Sequence, residues 1–133
     1  MIKKPTPLEK HEQIALAGWL DAINVIYCHI PNERMVNHLK TNGAKFAYLN
    51  SLKRQGFKKG VPDILIFTRP PIFDNYVGVA IEMKRYGKVP TEDQNNWLQD
   101  LTNCDWLTRC CNQGTDEAII WLKSLGYGVR RKA

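Results

Sequence analysis

Two short stretches of this chain carry groups able to do chemistry together: Gly60-Val61-Pro62-Asp63 and Glu82-Met83-Lys84. Each is ordinary alone. An Asp after Pro often only caps a turn, and Glu and Lys two apart on a strand most often form a surface ion pair. Their meaning changes if Asp63 and Glu82 converge, because two carboxylates at one point repel unless they share a proton or a cation. Hard oxygen ligands suit Mg²⁺ or Mn²⁺, with waters completing an octahedron. Such an ion would activate a water and polarise a phosphoryl oxygen. Lys84, on the same side of its strand as Glu82, would orient that water or neutralise charge developing in the transition state. This is the outline of a site for phosphodiester hydrolysis.

The elements around these residues must bring them together. Residues 76–85 read as a strand, with Val77, Val79, Ile81 and Met83 toward a core and Gly78, Ala80, Glu82 and Lys84 on the other face. Residues 64–68 form the preceding strand, broken by Arg69-Pro70-Pro71. So short a connection predicts an antiparallel hairpin that sets Asp63 beside Glu82. Upstream, Thr6-Pro7-Leu8-Glu9 opens a helix to about Ala22, 24–30 reads as a strand, 35–40 as a helical turn, and 44–55 as a helix stopped by Gly56. Downstream, Thr91 caps a helix over 92–101 with Gln94 in capping-box position. A strand at 106–111 follows, then a helix from Thr115 or Asp116 to Gly126. The order α-β-α-β-β-α-β-α predicts an α/β domain around a central mixed sheet.

The chain has 133 residues, 44% of them hydrophobic, and no repeat or linker, which predicts a single domain over 1–133. Glu12 stands out on the first helix. At ~100° per residue, Leu8, Ala15, Leu16, Trp19 and Ile23 all lie within ~60° of it. A carboxylate on an apolar stripe must be paired, hydrogen-bonded, bound to a cation, or drawn out to water near the helix end.

A net charge of +6 favours polyanionic partners. Its distribution is uneven: between Arg34 and Pro62 lie Arg34, Lys40, Lys45, Lys53, Arg54, Lys58 and Lys59 and no acid. Such a run is either a solvated helix face or a phosphate-binding surface. Cys28, Cys104, Cys110 and Cys111 show no zinc-finger spacing and read as small hydrophobes of a reducing cytosol. No segment has the length of a membrane span or the pattern of a leader, so a soluble, cytoplasmic protein is expected. No P-loop or Gly-x-Gly-x-x-Gly cradle indicates a nucleotide cofactor.

Pro62-Asp63 with Glu82-Met83-Lys84 resembles the PD-(D/E)xK nuclease motif. The wider pattern resembles the VRR-NUC family: Glu12, His29-Ile30-Pro31-Asn32-Glu33, Gly60-Val61-Pro62-Asp63-Ile64, Ile81-Glu82-Met83-Lys84, and Gln94 with Trp97. The likeness covers 9 to about 125 and implies a restriction-endonuclease-like core. It implies that Asp63 and Glu82 hold Mg²⁺, replaceable by Mn²⁺, that the Met83 carbonyl adds a ligand, and that Lys84 acts on the nucleophile. Glu12 would join this acidic site through water or metal. Gln94 either faces the site or only completes its capping box, and Trp97 reads as core. Asn32 either approaches substrate or belongs to a turn. With no appended DNA-binding domain, the basic residues Lys45, Lys53, Arg54, Lys58 and Lys59 are the expected DNA contacts. Small members of the family resemble Holliday-junction resolvases, which implies a homodimer that cuts branched DNA and leaves a 5′-phosphate. A flap or nicking nuclease, or a silent DNA-binding module, are the alternatives.

Overall fold

The computed structural model describes residues 9–31 and 41–129. Eight elements follow in the expected order: α1 (Glu9–Ala22), β1 (Tyr27–His29), α2 (Asn42–Arg54), β2 (Ile64–Ile66), β3 (Gly78–Met83), α3 (Glu92–Asn103), β4 (Trp106–Cys111) and α4 (Thr115–Ser124). The expected turn at 35–40, Asn32 and the basic residues Arg34 and Lys40 lie outside the described residues. No helix among the described residues is long and apolar enough to cross a membrane.

The four strands form one mixed sheet in the order β1-β2-β3-β4. β2 and β3 pair antiparallel, as their short connection favours; β1 also pairs antiparallel with β2, although α2 lies between them in the chain; β3 and β4 run parallel, with α3 as the crossover. α1 and α4 cover one face, where Leu16 and Leu20 meet Val79, Ile81, Met83 and Leu122. The other face, carrying Gly78, Ala80 and Glu82, lies under α3, whose Thr102 hydroxyl is 2.9 Å from that of Thr108 on β4. β3 is therefore buried along its whole length. At its start, a Cβ on Gly78 would come within 2.6 Å of the Ile66 carbonyl and 2.7 Å of the Trp106 ring, so only glycine fits.

The strands are shorter than their apolar runs. The first begins at Tyr27 rather than at residue 24, because Asn24 takes a left-handed φ of 59° in the turn that leaves α1. β2 ends at Ile66 rather than Thr68. Beyond it the amides of Phe67 and Thr68 both reach the Ile26 carbonyl, and the Thr68 hydroxyl accepts from the Ile26 amide, which interrupts the regular ladder. β3 begins at Gly78 because Val77 instead donates to the Asp105 carbonyl.

The stripe of α1 is also rotated from its expected centre. Ala15 is exposed while Leu20 is fully buried, so the buried face is centred nearer Leu16 and Leu20 than Glu12. Glu12 is half-buried at its margin.

Candidate active site

β2 and β3 meet in the register Ile64↔Ile81, so one step further along the pair Asp63 stands beside Glu82. Asp63 is fixed from both ends of the residue. Its carbonyl accepts from the Ile30 amide at 2.8 Å and lies 2.9 Å from His29 Nδ1. Its side-chain Oδ2 accepts from the Met83 amide at 2.8 Å. The backbone of β3 thus aims the carboxylate that opens β2.

Only 4% of Asp63 and 2% of Glu82 is exposed. Burial pushes the Asp63 carboxyl above the usual carboxylate range; the Met83 amide, a hydrogen bond with Glu82, and the charges of His29 and Lys84 pull against that rise. The register of β2 and β3 sets the two buried acids side by side, and a shared proton or a cation would make such a pair stable. Lys84 Nζ lies 3.8 Å from Glu82 Oε1 and its side chain is 15% exposed, which puts an ammonium at the mouth of a nearly dry acid pair.

Gln94 performs both of the functions that its sequence position left open. Its Oε1 accepts from the Thr91 amide at 2.8 Å and its own amide donates to the Thr91 hydroxyl, completing the capping box of α3. Its Nε2 then donates to Glu82 Oε1 at 3.0 Å. The first turn of α3 is thereby locked to the second acid.

Glu12 has a different partner. Its Oε2 accepts from the Thr115 amide at 2.6 Å, and the Thr115 hydroxyl lies 2.6 Å from the same oxygen and 2.7 Å from the Glu12 carbonyl. The N-cap of α4 is Gly114, at φ 86°, which has no side chain to satisfy the first amides; Glu12 supplies that acceptor from another helix. A Cβ at Gly114 would come 3.1 Å from Glu12 Oε2. The carboxylate also places negative charge at the positive end of α4. Among the described residues no three of His, Cys, Asp and Glu converge as a metal site, so Asp63 and Glu82 are not joined by Glu12 as a direct third ligand.

Of the basic residues, Lys53 and Arg54 end α2 and are exposed, as is Lys58, while Lys45 is half-buried. Lys59 pairs with Asp93 at 3.2 Å, and its carbonyl accepts from Trp97 Nε1 at 3.0 Å. Trp97, expected in the core, is half-buried and holds the connection to Asp63 against α3. A Cβ on Gly60 would strike Asp93 at 2.8 Å, so this glycine permits the close approach.

In the sequence His29 figures only as part of the family pattern, with no role of its own. It sits between Gln13 of α1 and the Asp63 carbonyl, linking the first helix to the site. A polar ring at the end of an apolar strand was the available signal. All four cysteines are free; Cys111 is buried and Cys28 and Cys110 are half-buried, as expected of small hydrophobes, whereas Cys104 is exposed, and burial pushes Cys110 up to about 11 and Cys111 to about 12, far from thiolate chemistry at neutral pH.

The residues present fit a small divalent cation. Two buried carboxylates side by side are the oxygen donors Mg²⁺ takes from proteins, which characteristically supply one or two and leave the rest to water and phosphate.

Comparison with known proteins gives the family and the fold. The model of the VRR-NUC domain matches residues 9–116. A solved structure titled VRR_NUC domain protein superposes with a TM-score of 0.69 at 20% identity, covering 93% of this chain and 90% of the other. The mixed sheet flanked by helices is that restriction-endonuclease-like fold. No curated protein sequence matches the chain.

Proposed function

The chain belongs to the VRR-NUC family of nuclease domains, and from that premise we propose that it is a Mg²⁺-dependent DNA endonuclease selective for branched substrates, above all four-way junctions. The observation that carries the reading is the pairing of Asp63 with Glu82 across the β2–β3 register, 4% and 2% exposed, with Lys84 3.8 Å from the second acid. A cluster of buried acids facing a polyanion is costly in a module that only binds DNA.

Asp63 and Glu82 would hold the ion, with the Met83 carbonyl as a further donor. The ion, when bound, supplies an activated water and neutralises phosphate charge. This chain's own groups do the rest. The Met83 amide and Gln94 keep the two carboxylates from rotating away, so the donor set is preorganised before substrate arrives. Lys84 Nζ orients the attacking water and stabilises the negative charge that builds on the phosphoryl oxygens as the new P–O bond forms and the P–O3′ bond breaks. The exposed cations Lys53, Arg54 and Lys58, with Lys45, take the phosphate backbone without reading bases. Paired cuts in a four-way junction need two sites, which a homodimer provides.

The test is cleavage of an end-labelled four-way junction beside matched duplex, flap and single strand, with Mg²⁺, with EDTA, and with Asp63→Ala. Symmetric incision of the junction alone, lost in EDTA and in the variant, is expected. Cutting confined to flaps or nicks would replace the substrate, and salt-sensitive binding with no cleavage in Mg²⁺ or Mn²⁺ would leave a silent DNA-binding module.

A further inference from the structure

Helix α2 packs along a narrow stripe. Lys45, Leu49 and Leu52 are half-buried, and no residue of the helix is fully buried. At ~100° per residue, Phe46, Asn50, Lys53 and Arg54 share an arc of ~100° on another side. All four are exposed, Phe46 at 70%, and the helix contains no acid. A single exposed apolar side chain is unremarkable. This one is followed along the same face by an amide and two cations, the combination with which proteins hold unstacked nucleic-acid bases: a π-face for the base, charge for phosphates further along the strand.

The helix is also linked to the acid pair through the chain that leaves it. The chain leaving α2 is tied to α3 through Lys59 to Asp93 and Trp97 to the Lys59 carbonyl, and the next helix residue after Asp93, Gln94, holds Glu82. The connection that follows α2 is thus carried on the same support as the site.

We infer that this face of α2 is a docking surface for unpaired or unstacked DNA bases, with Phe46 stacking on a base while Lys53 and Arg54, about two turns further along the helix, take phosphates of the same strand. The inference rests on the DNA-cleaving reading and deepens it, because it names the feature by which a branched substrate is told from a duplex. A fully stacked duplex offers Phe46 no base face; the strand exchange point of a junction does.

The experiment measures binding by fluorescence anisotropy in EDTA, using the full chain, a labelled four-way junction and a duplex of equal length. Phe46→Ala should weaken junction binding about tenfold and leave duplex binding near that of the wild type, and Phe46→Tyr should restore it. Charge removal at Lys53 and Arg54 should weaken both substrates alike. With 2-aminopurine at the junction centre, the quenching on binding should be lost in Phe46→Ala and kept in Phe46→Tyr. An equal loss on both substrates, or no loss, overturns the stacking role while the nuclease reading stands. A fall in sedimenting mass in Phe46→Ala would give the face to a second copy and overturn it as well. If the wild type binds neither DNA, the functional reading falls and takes this surface with it.

Discussion

The amide of Met83 donates to Asp63 Oδ2 at 2.8 Å, so the strand that carries one acid of the candidate site also positions the other. This bond survives whichever protonation state the pair adopts, since a carboxyl and a carboxylate both accept. It separates the geometry of the site from its charge, and the two can be tested apart.

Asp63→Asn should stabilise the metal-free protein at pH 8. Burial holds the Asp63 carboxyl above its unfolded value, so the folded state keeps a proton that the unfolded chain releases. Stability attributable to this group is therefore present below the unfolded pKa of ~3.9 and is lost as pH rises through the folded one. Thermal melts in EDTA should show the variant above the wild type at pH 8, with the gap closing toward pH 4. A gap independent of pH would mean that Asp63 ionises without strain.

Adding Mg²⁺ should raise the melting temperature of the wild type and not that of Asp63→Ala or Glu82→Ala, because a ligand bound only to the folded state stabilises by mass action. Equal shifts in all three would place the ion elsewhere.

Lys84→Ala should reduce turnover by roughly 10²-fold with little change in the Mg²⁺ midpoint, as expected when a group acting on developing charge is removed. Single-turnover kinetics across a Mg²⁺ titration separates the two. A near wild-type rate would reduce Lys84 to an ion-pair partner of Glu82.

Glu12→Ala should cost ~1–2 kcal/mol, the usual range for losing a helix N-cap acceptor, and Glu12→Gln should cost less because an amide oxygen can still accept. Urea unfolding reads this directly. If Glu12→Gln keeps its stability and loses cleavage, the carboxylate serves the acid pair as well as α4.

Much of the fold could be read in the residues. Pro and Gly punctuation, the capping box at Thr91 and the alternation of 76–85 located the elements, and the hairpin followed from the length of its connection. The convergence of Asp63 and Glu82 came from the same source, because antiparallel register is a local property. What did not show was long-range. A helical wheel set Glu12 on an apolar stripe but could not reveal that its partner would be the bare N-terminus of α4. The early end of β2 depends on Ile26 and Thr68, which meet only in the folded chain. Gln94 looked ambiguous because its two ends do two things, and a one-dimensional pattern records only the nearer.

The separation in sequence of these contacts also bears on the order in which the molecule is made. Met83 and Asp63 are 20 residues apart, Thr115 and Glu12 103. Closing the longer loop costs more chain entropy, and contacts of that span form late on average. The hairpin that pairs the acids can therefore exist before the helices seal the sheet, with its carboxylates still in water, so the cost of burying them falls on the later steps. A cation that meets the hairpin at this stage would speed folding as well as stabilise the product, and refolding rates with and without Mg²⁺ would register the difference.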